Sequence, residues 1–147
     1  MPKHSKSIDP MGFVWPILSS LFGLLVVLLV IFLIWLFNRV IPTSLIKNII
    51  DFLYGNIGLI FVMSIAFNYG AHLSKFSAPT SAVSPLITSI GAVILVFFMI
   101  SILRVAVPIN TGIEPILGLI QGNILMIFAI LVVAGYAVYF IKIAKAE

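Results

Sequence analysis

Gly55-Asn56-Ile57-Gly58-Leu59-Ile60-Phe61 returns 67 residues later as Gly122-Asn123-Ile124-Leu125-Met126-Ile127-Phe128. At the same offset Tyr69 and Lys75 meet Tyr136 and Lys142. Upstream, Val14, Pro16 and Ser20 match Val83, Pro85 and Ser89 at an offset of 69, and Arg39-Val40-Ile41-Pro42 is echoed by Arg104-Val105-Ala106-Val107-Pro108. Matches between apolar residues are cheap in a chain this greasy. The Gly-Asn pair, the Arg-Val pair and the proline opening each half are not, so the chain reads as a tandem duplication, a pattern that decides architecture before any single motif does.

Each copy holds two long apolar runs. Of the 147 residues 63% are hydrophobic, and the mean hydropathy is +1.31, well above the roughly 45–50% apolar content of soluble domains. Uncharged stretches cover Met11–Asn38, Phe52–Ala71, Phe76–Leu103 and Pro115–Ile141, each long enough to cross about 30 Å of hydrocarbon as a helix. Backbone groups in lipid must be bonded within their own segment, and transmembrane strands are only about 10 residues long with polar alternation, which these runs lack. The expected fold is therefore all-α: four transmembrane helices as two tandem, same-orientation helical hairpins. The boundaries are a polar basic tail at 1–11, a first hairpin at 12–75 (spans 12–38 and 49–71), a linker at 76–82 and a second hairpin at 83–147 (spans 83–104 and 115–141). The tail bears Lys3, His4 and Lys6, but the first run exceeds the 7–15 residues of a signal-peptide core, which predicts a retained span.

An even number of spans per copy gives both copies one orientation. That is how a chain comes to fill two adjacent positions of a ring or helical assembly. Many transporters instead use inverted repeats, although parallel ones occur among them. Orientation itself is weakly specified: Lys3, Lys6, Lys75, Lys142 and Lys145 lie on the side of the termini, against Arg39, Lys47 and Arg104 on the other.

The net charge of +4 sits at the ends of the runs and suits anionic headgroups. No basic cluster interleaved with aromatics exists to bind a nucleic acid by sequence. With no cysteine, disulfides, thiolate metal sites and cysteine nucleophiles are excluded. His4 and His72 have no partner at metal-ligand spacing, which predicts boundary histidines. Ser19, Ser20, Ser64, Ser84 and Ser89 are scattered and are expected to bond back to carbonyls of their own helices. Nothing here composes an enzyme.

Asp51 is the only acid near a helix interior, about one turn before Gly55; with Gly118 as its counterpart and Lys47 four residues before it, it reads as an interfacial acid in the first turn of the second span. Arg39 and Arg104 survive in both copies at the end of the first helix. Their guanidinium groups, with Lys47, suit lipid phosphates, and a snorkelling anchor would look the same. Gly55 with Asn56 and Gly122 with Asn123 open the second helices, where a small residue permits close helix approach and an amide bonds across an interface, between chains rather than within one.

Each hairpin, two apolar helices joined by a short loop with a basic residue and followed by a basic tail, resembles in layout the major pilin of conjugative, type IV secretion pili, including archaeal DNA-import pili. The resemblance covers Val14 to Lys75 and again Val83 to Lys142, with Arg39 and Arg104 in the loop-basic role. It departs in having two hairpins and no evident cleavable leader. It implies a homo-oligomeric helical filament, a structural phospholipid, no other cofactor, DNA as a lumen cargo without sequence-specific contacts, and a cell-membrane protein that reaches an extracellular pilus. The rival expectation is a small transporter or an accessory subunit of a larger membrane complex, with Asp51, Asn56 and Asn123 lining a polar path.

Overall fold

A computed structural model describes residues 10–76, 79–107 and 112–145, and every described segment is helix, turn or connecting coil. Six α-helices follow in order: α1 Pro10–Val40, α2 Ser44–Gly55, α3 Ile57–Leu73, α4 Ser84–Ala106, α5 Glu114–Gly122 and α6 Ile124–Ala144, with a 3-10 turn at Thr80–Val83 before α4. The all-α class holds. The expected tail at 1–11 and His4 fall largely or wholly outside the described residues.

Outside the two asparagine breaks the apolar runs form helices because little in them offers the backbone an alternative, and of α2 to α6 only α2 begins with a side-chain cap. Thr43 caps α2, its hydroxyl accepting from the Ile46 N–H at 3.3 Å, while Asn38 Oδ1 accepts from the Thr43 N–H. Pro85 and Pro115 stand in the first turns of α4 and α5, where a missing N–H costs little. Pro16 lies deeper in α1, and Ser20 Oγ donates to its carbonyl at 2.8 Å; Ser89 does the same to Pro85 at 2.8 Å. Both serines are buried, so the repeat preserves this bond as well as the residues.

The second run of each copy is not one helix. It begins at Ser44 rather than at residue 49 and breaks at Asn56, where α2 and α3 meet at 59°. The run expected at 115–141 likewise breaks, at Asn123. At roughly 1.5 Å per residue α1, α4 and α6 reach at least about 30 Å, whereas α3 spans only about 25 Å. Three helices are thus long and apolar enough to cross a membrane alone, and α3 reaches that length only together with α2.

The long helices stand in chain order, α1 against α3, α3 against α4 and α4 against α6, with α3–α4 the most extensive pairing. In an apolar solvent this packing rests on close approach of small residues rather than on hydrophobic exclusion. A Cβ added to Gly70 of α3 would overlap Thr88 Oγ1, and one at Gly91 of α4 would sit 3.1 Å from Ala66 Cβ. Ser84 Oγ closes the same contact by donating to the Gly70 carbonyl at 2.7 Å. Both hairpins cross alike: Gly12 meets His72 and, at the repeat-related positions, Ser81 Oγ lies 3.1 Å from the Tyr139 hydroxyl. Asn68 bonds Ser20, and its counterpart Gly135 lies against Pro85, one helical turn before the counterpart of Ser20. These pairings run start to end, so neighbouring long helices are antiparallel and the two copies point the same way.

Gly70→Ala is expected to force α3 from α4 and cost about 1–3 kcal/mol. Gly55→Ala, at an exposed helical position with no atom within 4 Å of the added Cβ, is expected to stabilise by about 0.4–1 kcal/mol. Denaturant unfolding in detergent micelles reads both; equal effects would mean that α3 and α4 do not cross at Gly70.

Candidate functional site

Polar side chains gather in three places. The first is the pair of helix breaks. Asn56 (φ −108°, ψ 18°) and Asn123 (φ −105°, ψ 21°) have nearly the same backbone conformation. Asn56 Nδ2 donates to the Phe52 carbonyl at 2.8 Å and Asn123 Nδ2 to the Leu119 carbonyl at 2.7 Å, each four residues back. A side chain that bonds the preceding turn competes with the helical ladder and bends it. The amides therefore bond the preceding turns of their own chain, Asn56 at Phe52 and Asn123 at Leu119. Gly55 and Gly122 are exposed, and no neighbour lies within 4 Å of a Cβ built on either. Their small size permits no close approach inside this chain.

The second place is the surface formed by α2, the end of α4 and α5. Here Arg104 donates through Nη1 to Gln121 Oε1 at 2.6 Å and through Nη2 to Glu114 Oε1 at 2.9 Å, tying the end of α4 to α5. A groove of about 910 Å³ between α2 and the end of α4 is lined by Asn48, Asp51 and Arg104 together with apolar Leu45, Phe52 and Val105. Phe52 stacks at a tilt on Phe98, ring centres 5.3 Å apart, which holds α2 against α4. Lys47 pairs with Asp51 at 3.0 Å, both well exposed at 69% and 62%, as the four-residue spacing implied. Asp51 belongs to the second half of α2, however, and not to the first turn of a span. Arg39 is exposed and lies 4.9 Å from the centre of the Trp35 ring, a cation–π contact at the end of α1. Arg104 and Asp51 thus line one groove, and neither Lys47 nor Arg39 is among the residues lining it.

The third place went unread in the sequence. Asn68, inside the apolar part of α3, donates through Nδ2 to Ser20 Oγ at 3.0 Å, to the Ser64 carbonyl at 3.0 Å and to Ser64 Oγ at 3.3 Å, and accepts from Ser19 Oγ at 3.3 Å. Three of the serines taken as scattered converge on one amide. The available signal was an asparagine one turn after Ser64 in an otherwise apolar run. Nearby, the Tyr69 hydroxyl donates to the Phe13 carbonyl at 2.9 Å. His72 lies edge-on between Phe13 and Phe76, and its Nε2 is buried without a hydrogen-bond partner. No group of three or more potential metal ligands occurs among the described residues.

The comparisons add no relative: no family model, curated protein or solved structure matches the chain.

Replacing Asn68 by Leu is expected to cost about 1–2 kcal/mol, the upper range for hydrogen bonds between membrane helices. Asp51→Asn, which removes an exposed pair, is expected to cost no more than about 0.5 kcal/mol. Thermal unfolding of the purified variants in one detergent distinguishes the two sites.

Proposed function

We propose that this chain crosses the membrane four times, as two same-way-up hairpins, and serves as a structural subunit that assembles with copies of itself. The observation that carries the reading is the repeated unit itself. Each copy consists of a long apolar helix, a short amphipathic helix broken at an asparagine, and a returning helix that crosses the first at repeat-related positions. A unit of this kind has an apolar exterior and presents most of its chemistry as packing.

In this arrangement α2 and α5 lie at one membrane face, with Lys47, Asp51, Arg104 and Glu114 in the headgroup layer. The α2–α4 groove, with a guanidinium at its rim and an apolar wall, suits a phospholipid, its phosphate toward Arg104 and an acyl chain along Phe52 and Val105. Arg39, stacked on Trp35, acts as an anchor at the same level. A lipid-containing helical filament of the conjugative-pilin kind, exported from the cell membrane and used for DNA transfer, is the form of assembly that the layout of the hairpins suggests.

One observation favours the rival reading of a transporter or an accessory subunit: the Asn68 cluster places polar groups between α1 and α3, inside the apolar zone. Its donors are engaged with one another, which favours a clamp between helices over a path.

Material sheared from expressing cells is expected to contain thin filaments in which mass spectrometry finds both this chain and phospholipid. Arg39→Ala combined with Arg104→Ala is expected to reduce lipid retention or filament yield, and Asp51→Asn to leave assembly intact. Confinement of the chain to the membrane while the export system is active would overturn the filament, and loss of a transport activity on Asp51→Asn would support the rival.

A further inference from the structure

The contact between the two copies inside the chain predicts the contact between chains. α3 belongs to the first copy and α4 to the second, so their crossing is a copy-to-copy interface already formed. Carrying it one step further brings α6, the counterpart of α3, to α1, the counterpart of α4, of another molecule. Most of the residues that would meet are bare at present; Ser19 is half-buried, its hydroxyl donating to Asn68. Phe22 and Val133, the counterparts of Gly91 and Ala66, are each 70% exposed, and Ala134 and Ala137 are exposed as well.

The two faces match in size where they have changed in identity. At the inner crossing the Phe67 ring lies against Gly91, 3.4 Å from a Cβ built there. At the outer positions Phe67 has become Ala134 and Gly91 has become Phe22, so the aromatic ring has moved from one helix to the other. At the next contact Gly70 and Thr88 correspond to Ala137 and Ser19: one helix gains a methyl group and the other loses one. Such paired exchanges keep the filled volume nearly constant, which is the kind of change a packed interface tolerates. Lipid, being fluid, imposes no such pairing. Ala66 becomes Val133, which adds two methyl groups and widens the outer crossing, and Ser84, the hydroxyl that clamps Gly70, becomes Trp15, an aromatic placed at the start of the span where the membrane interface accepts it.

We infer that α6 of one chain docks antiparallel on α1 of the next, Phe22 inserting over Ala134, in a head-to-tail contact that repeats the inner α3–α4 crossing. This partner assignment rests on the self-assembly reading above. A heterologous contact of this kind propagates into rings or filaments rather than closing as a two-fold dimer.

The absence of native cysteine makes the test direct. Because a Cβ at Gly91 lies 3.1 Å from Ala66 Cβ, Phe22→Cys with Val133→Cys in one chain places two thiols within disulfide reach across the proposed contact. Oxidation in native membranes is expected to yield a ladder of dimers, trimers and higher species, with the single Val133→Cys variant giving none. Separately, Ala134→Phe is expected to lower chemically crosslinked multimers of the otherwise unmodified chain roughly tenfold or more by overpacking, and Ala134→Phe with Phe22→Ala to restore them. If single-molecule photobleaching counts one chain per particle in native membranes, the self-assembly reading falls and this contact with it. Multimers by photobleaching without the disulfide ladder, or with dimers from the single-cysteine variant alone, would overturn the contact and leave self-assembly standing.

Discussion

The approach of α3 to α4 at Gly70 and Gly91 is the contact on which the arrangement of the other helices depends. Between helices in lipid there is no gain from excluding water, so association rests on dispersion over closely fitted surfaces and on a few interhelical hydrogen bonds. Glycine at both positions brings the backbones near enough for Ser84 to bond the Gly70 carbonyl directly. That distance fixes where the first copy stands beside the second. It also carries α2, tethered to α3 through Asn56, across to the end of α4, where Phe52 meets Phe98 and the groove with Arg104 opens.

The backbone's need for partners explains the remaining polar residues. Around the fully buried Pro16 in α1, Ser20 donates to the Pro16 carbonyl and Tyr69 reaches the Phe13 carbonyl from α3. At the breaks, Asn56 and Asn123 each offer a main-chain N–H and a side-chain amide to the preceding turn, while their own carbonyls accept from Ile60 and Ile127. The chain thus changes direction without abandoning its hydrogen bonds, a condition for any bend close to hydrocarbon. Two breaks with the same backbone conformation, at Asn56 and Asn123, point to the Gly-Asn sequence as their cause.

What was legible in the sequence follows from the same physics. The helical state of the apolar runs, the Pro16–Ser20 and Pro85–Ser89 pairs and the Lys47–Asp51 spacing are local, and each was realised as read. The breaks were not foreseen, because an asparagine at the start of an apolar run has the same letter whether its amide bonds a neighbouring helix or its own. Helix faces were equally opaque: in α1 and α6 nearly every residue is apolar, so periodicity cannot separate the side that packs from the side that meets lipid. The Asn68 cluster depends on α1 and α3 crossing in one register, a tertiary fact that no spacing encodes. Arg104 was legible as a preserved cation, but its bonds to Glu114 and Gln121 have no counterpart in the first copy, where Lys47 and Tyr54 occupy those positions.

That asymmetry is what a tandem fusion permits. In two separate hairpins every face must serve both as an inner and as an outer contact, so no residue can be fitted to one role alone. Joined in one chain, the copies divide the work. The inner crossing, held permanently by the linker, acquires glycine on both helices and a serine clamp, and the first crossing acquires Asn68 and His72 where the second has Gly135 and Tyr139. The outer helices retain bulkier residues, Phe22 on α1 and Val133 on α6, both exposed in the single chain; in the assembly proposed above their contact would be wider and would lack the clamp. A covalently fixed contact can be tight without consequence, whereas one between molecules must form and dissolve as subunits join and leave. If the chain assembles as proposed, small residues on the inside and larger, size-matched ones on the outside are the distribution that such a difference in lifetime would favour.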